Sequence, residues 1–130
     1  MRTNPVYRQL WQLIEQTESV HKLIKGKSTV FQLVQVQLTR HPEHHFLLAN
    51  THLYFRPDAY FVRLLQSIVA IRHIHHIRNQ ILESNHAVKR VDILFGGDFN
   101  STPDSLSFDY LANGRIDAEN LLNGKNIFCP

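Results

Sequence analysis

The chain has 130 residues, 43% hydrophobic and 19% charged, an ordinary composition for one globular domain that excludes wholesale disorder and leaves no room for a second independent core. Its longest apolar runs, such as Ile68–Ile71, fall far short of the ~20 residues of a membrane-spanning helix, so no membrane partner is expected, and the lone Cys129 excludes an internal disulfide and a cysteine zinc site. Fourteen Lys and Arg against eleven Asp and Glu give a formal charge of +3, spread along the chain, which allows a polyanionic partner without demanding one.

Pro5, Val6, Leu10, Leu13 and Ile14 predict an amphipathic helix over Pro5–Val20, with Gly26 ending the region and Tyr7 and Trp11 packing on the helix. Its acidic Glu15 and Glu18 do not suit an organellar presequence, and Met1–Pro5 lacks the apolar stretch of a secretory signal. From Thr29 the pattern turns to period two: Val34, Val36 and Leu38 alternate with Gln35 and Gln37, as in a strand with one buried and one wetter face. Arg40–His44 reads as a hairpin loop into an antiparallel strand, Phe46–Thr51. Phe61, Leu64, Leu65, Ile68 and Ile71 predict a packing helix over Tyr60–Glu83, with Arg63, Arg72 and Arg78 in solvent. Val91–Phe95, stopped by Gly96-Gly97, suits a strand buried on both faces. Ser101-Thr102-Pro103-Asp104 looks like a capped helix start and Gly114 like its stop.

The chemistry lies where that last strand ends. Asp98 and Asn100 stand two residues apart, and an extended backbone would point both side chains the same way. An Asp can bind a hard cation or take a proton from an attacking water, and an Asn can ligate through its carbonyl or donate to a phosphoryl oxygen. The plainer reading is that the two residues build a turn, which both types favour. His52 emerges at the end of another strand, where it is placed to meet Asp98 across neighbouring or facing sheets and to donate to a phosphate or move a proton near neutral pH.

Three segments in this order carry a resemblance: Asn50-Thr51-His52-Leu53-Tyr54-Phe55-Arg56-Pro57, Arg63-Leu64-Leu65-Gln66, and Gly97-Asp98-Phe99-Asn100-Ser101-Thr102-Pro103. They resemble successive motifs of the endonuclease/exonuclease/phosphatase family, most of all its 2′,5′-phosphodiesterase branch, which degrades 2-5A and trims poly(A). The resemblance runs from about Thr29 to Ile116. It implies an α/β chain forming part of a four-layer α/β/β/α sandwich of the DNase I kind, with residues 1–130 as a partial domain. It implies that Asp98 activates water or binds Mg²⁺ (or Mn²⁺), that Asn100 contacts the metal-bound phosphate, that His52 stabilises the developing charge, and that Asn50 orients its neighbours. Pro57 matches a proline that packs against a terminal adenine, and Arg56 is beside it for RNA phosphate.

The family's upstream metal-binding Glu motif and downstream Ser-Asp-His motif have no counterpart, since no histidine follows His86. A fragment that alone hydrolyses little is therefore expected, within a metal-dependent phosphodiesterase or 3′-exoribonuclease acting on oligoadenylate or poly(A) RNA. The alternatives are a 3′,5′-specific deadenylase of the angel or nocturnin type and a non-catalytic remnant that binds RNA or protein. By resemblance the location is mitochondrial, or cytoplasmic for the deadenylases. The histidines of Arg72-His73-Ile74-His75-His76, three apart at His73 and His76, are read as a solvated helix face rather than a metal site, and His41, His44 and His45 as surface residues. A half-sandwich would leave apolar surface at Val34, Val36 or Val91.

Overall fold

The computed structural model describes residues 29–116; the helix expected over Pro5–Val20 lies outside them. In chain order the elements are β1 (Phe31–Leu38), β2 (His41–His52), α1 (Tyr60–Ser84), β3 (Arg90–Asp98) and α2 (Leu106–Asn113). The strands form one mixed sheet in the order β1-β2-β3, with β1 antiparallel and β3 parallel to β2. The parallel pair requires a crossover, which α1 provides. The class is α/β, as expected.

The β1–β2 turn is tighter than the expected Arg40–His44 loop, and β2 begins at His41 rather than Phe46. Its pairing jumps from Gln37↔His45 to Leu38↔His41, so Pro42–His44 bulge out of the β1 ladder, while pairing with β3 starts only at His44↔Arg90. Pro42, which has no N–H to give, thus sits where neither neighbour needs one. This extension also removes two histidines from the surface. His45 is 6% exposed, with Nδ1 2.8 Å from Gln35 Nε2, and His44 Nε2 lies 2.8 Å from Asp92 Oδ2. His41 alone of the three is surface, as expected.

The core lies between α1 and one face of the sheet. Leu47, Ala49 and Val91 meet Ile74, Ile81 and Val88, with Phe31, Leu33, Ile77, Ile93 and Phe95 packed around them. Along α1 the buried line runs through Arg63, Ser67, Ala70, Ile74 and Ile81, which are three, four or seven residues apart and so share one helical face. The expected stripe is rotated away from it: Leu64 is buried, but Phe61, Leu65, Ile68 and Ile71 are half-buried. Two polar residues in the true stripe hid it. Ser67 Oγ satisfies itself by donating to Arg63 O at 2.9 Å, and Arg63, expected in solvent, is 2% exposed. Arg78 is half-buried with Nε donating to Val91 O at 3.1 Å, whereas Arg72 is exposed.

The other face of the sheet is uncovered among the described residues. Val34, Leu48 and Leu94 stand in one register row, with Val36 and Phe46 in the next. Val34 and Leu94 are 55% and 57% exposed, so the alternation of β1 is correct but the face carrying Val34 and Val36 is the open one. β3 is buried on one face rather than both: Val91 points to α1 and is buried, while Leu94 points away.

Past β3, Thr102-Pro103-Asp104 make a turn closed by Ser105 N–H donating to Thr102 O at 2.9 Å. The cap of α2 is Ser105, whose Oγ accepts from Phe108 N–H at 3.2 Å, not the expected Ser101 or Thr102. Gly114 ends α2 as expected, at φ 69° with its N–H on Tyr110 O. Among the described residues no helix is long and apolar enough to cross a membrane.

Candidate functional site

Parallel pairing brings the carboxyl ends of β2 and β3 side by side, with His52 opposite Asp98 in register. His52 and Asp98 therefore meet on adjacent strands of one sheet, with His52 Nε2 3.8 Å from Asp98 Oδ2 and both side chains about two-thirds exposed. Gly97 makes the approach possible. Its φ is 135°, and a Cβ there would lie 1.9 Å from Thr51 O, so only glycine lets β3 lie against β2 at this point. Gly96 has nothing within 4 Å of a Cβ and carries no such requirement.

Beyond Asp98 the extended backbone does not continue, contrary to the period-two expectation. Asn100 sits at φ 47°, a left-handed conformation that Asn tolerates better than most residues. Its N–H donates to Asp98 Oδ1 at 2.9 Å, and its Nδ2 donates to Leu53 O at 2.8 Å. Leu53 N–H in turn donates to Asp98 O at 2.9 Å. The turn-building and site-building readings of Asp98 and Asn100 therefore coincide: one carboxylate oxygen shapes the turn and the other faces His52. The bond to Leu53 stitches the exit of β3 to that of β2 through the amide's donor and does not use its acceptor, Oδ1.

The remaining predicted residues are placed less tightly. Asn50 precedes His52 by two residues on the same face, with Nδ2 3.4 Å from Gln32 Oε1. Arg56 is turned onto Asp58, through Nε to Oδ1 at 3.1 Å and Nη2 to Oδ2 at 2.9 Å. That hydrogen-bonded pair holds the Arg56 guanidinium above its ordinary pKa and Asp58 below the usual carboxylate value. Pro57 is exposed on the same loop, five residues past His52. The structure gathers His52, Asp98 and Asn100, and Arg56 and Pro57 follow His52 on the loop that leaves β2.

Two residues whose role the sequence reading missed hold that loop. Arg63 donates through Nη1 to Tyr54 O at 3.2 Å and to Arg56 O, and through Nη2 to Pro57 O at 3.1 Å. Gln66 Oε1 accepts from Tyr54 N–H at 3.0 Å. The signal was present: Arg63 stands on the same 3-4 spaced line as Ala70, Ile74 and Ile81.

Among the described residues no group of three or more His, Cys, Asp or Glu side chains is gathered to hold a metal ion. The expectation of a solvated helix face at His73 and His76 is corrected, since both are half-buried. His73 is half-buried, its ring edge-on to Phe31 with centroids 5.9 Å apart, and burial lowers its pKa. At the strand ends the exposed Asp98 carboxylate and the Asn100 carbonyl are oxygen donors of the kind hard cations take, and Mg²⁺ commonly keeps several waters alongside one or two carboxylates. The donor set fits Mg²⁺ in chemistry.

No family model matches the chain. It is 29% identical to 2′,5′-phosphodiesterase 12 of Homo sapiens over 116 residues, 89% of this chain and 18% of that protein. It is 38% identical to RNA exonuclease NGL1 of Saccharomyces cerevisiae over 87% of this chain and 30% of that one. It is 27% identical to the probable CCR4-Not complex 3′-5′-exoribonuclease subunit Ccr4 of Enterocytozoon bieneusi over 88% of this chain and 20% of the relative. The chain thus spans less than a third of the length of each of these relatives.

Proposed function

Since the chain is a homologue of one segment of the endonuclease/exonuclease/phosphatase-type nucleases, we propose that it supplies part of the active site of a metal-dependent phosphodiesterase acting on RNA, with 2′,5′-oligoadenylate and poly(A) as substrates. The observation that carries this reading is the pairing of His52 with Asp98 at adjacent parallel strand ends, locked by Gly97 and by the Asn100–Leu53 bond. Ligands commonly bind beyond the carboxyl ends of parallel strands.

Asp98 and Asn100 would hold Mg²⁺ (or Mn²⁺) through their side-chain oxygens. When bound, the ion neutralises charge on the phosphoryl group. Asp98 orients the attacking water and takes its proton. His52 donates to a phosphoryl oxygen and stabilises the charge that grows there. Asn50, on the same face, helps hold His52. Pro57 offers a flat apolar surface for a base, and Arg56 serves phosphate once it lets go of Asp58. The uncovered face bearing Val34, Val36, Leu48 and Leu94 takes a second sheet, which makes this unit part of a four-layer sandwich and brings in the remaining ligands.

The names of two relatives, an RNA exonuclease and a 3′-5′-exoribonuclease subunit, favour a second reading in which only 3′,5′ linkages are cut. Side-by-side hydrolysis of 2′,5′- and 3′,5′-oligoadenylates separates the two. A mitochondrial location accompanies the first reading and a cytoplasmic one the second, which fractionation of the tagged protein distinguishes. The assignment itself is tested by Asp98→Ala in the longest protein that contains this segment. Activity should vanish with the fold intact, and retained turnover would sink the assignment.

A further inference from the structure

We propose that Arg63 is a positioning residue for the site, a buried guanidinium that fixes the segment running from His52 through Pro57. The proposal rests on the phosphodiesterase reading above, but its geometric basis is independent of substrate. Arg63 lies in the first turn of α1, is 2% exposed, and is caged by the carbonyls of Tyr54, Arg56 and Pro57 rather than by a carboxylate. Its guanidinium also lies over the Tyr60 ring, 4.9 Å from the centroid.

As a device for stability this is a poor choice. A cation in the first turn of a helix opposes the positive end of the helix dipole, α1 has no acidic residue in that turn and no side-chain cap, and burial works against the charged form more than the attraction of Asp58, just ahead of the helix, supports it. What the guanidinium does, and an apolar chain cannot, is gather three successive loop carbonyls in one rigid fork. Gln66, one turn further along α1, holds Tyr54 N–H and donates to Thr29 Oγ1 at 2.9 Å. On the opposite side Leu53 is held by Asp98 O and Asn100 Nδ2. The segment leaving His52 is therefore pinned from the helix and from β3 at once, with Arg56 and Pro57 presented on the part that Arg63 grips.

A small misplacement of a reacting group costs as much as about 10²-fold in rate. In the longest protein containing this segment, Arg63→Lys, which keeps the charge and loses the fork, should lower kcat for 2′,5′-triadenylate by about 10- to 100-fold, with a far smaller change in KM and little change in Tm. Gln66→Met, which loosens the same loop without touching a buried charge, should act in the same direction. Hydrogen exchange at residues 53–59 should rise in both variants while that of β2 stays put. An unchanged kcat with a loosened loop would overturn the proposal, as would a loss of activity that follows only the unfolded fraction. Should the wild-type protein cleave neither oligoadenylate, the substrate reading fails, and the His52 ring resonances decide the positioning claim. They shift in Arg63→Lys if the segment is held from α1, and stay in place if it is not.

Discussion

Asp98 uses its two oxygens differently, one accepting the Asn100 N–H that shapes the turn and one facing His52. Asparagine at this position keeps the accepting oxygen and removes the charge. Asp98→Asn should therefore fold as the wild type does and lose about 10²- to 10⁴-fold in kcat, read from steady-state kinetics beside a melting curve. Gly97 separates from its neighbour just as sharply. A Cβ at Gly97 meets the Thr51 carbonyl at 1.9 Å and forces an unfavourable φ, whereas one at Gly96 meets nothing. Gly97→Ala should cost roughly 3 kcal/mol or more, and Gly96→Ala much less than that, by urea unfolding; equal costs would mean that the strand ends are not locked as described.

At the scale of elements, the hairpin, the long helix, the strand after it and the Gly114 stop were all legible, because each carries a local signal: alternation, a 3.6 period, a β-branched run, a left-handed cap. What was not legible depended on partners distant in sequence. β2 runs back to His41 because neither neighbouring strand needs the missing N–H of Pro42, and α1 buries the line containing Arg63 and Ser67 because those polar groups find acceptors in the loop and in the helix. For the site, motif order brought His52, Asp98 and Asn100 forward, but the turn at Asn100 appears only in three dimensions. The helix also carries a pH signature. Burial lowers the pKa of His73, so the unfolded chain takes up a proton near pH 6.5 that the folded chain resists. Stability is then fully present above that pH and falls as the pH drops below it. Tm should decline from pH 7.5 to 5.5, and His73→Phe should flatten that decline; an unaltered slope would remove His73 from the account.

Taken together, the described residues are one-sided: α1 covers one face of the sheet, and the row Val34, Leu48 and Leu94 stands open on the other. Exposed apolar surface of this kind drives association. Val34→Lys with Leu94→Lys should lower concentration-dependent association of the chain in sedimentation runs, while changing its stability little, because neither side chain belongs to the core. On the proposed sandwich that face meets a second sheet in a longer protein, so there the same pair should instead weaken folding. A pair that alters neither would contradict the sandwich.

The central claim, that these strand ends form part of a phosphodiesterase site completed by the rest of a longer protein, is tested most directly by one assay. Hydrolysis of 2′,5′-triadenylate and 3′,5′-oligoadenylate is followed with and without Mg²⁺, on the 130 residues and on the longest protein that contains them. The account predicts metal-dependent cleavage by the longer protein, abolished by Asp98→Ala, and little or none by the 130 residues alone. Metal-dependent cleavage by the short chain, or turnover that survives Asp98→Ala, would contradict it.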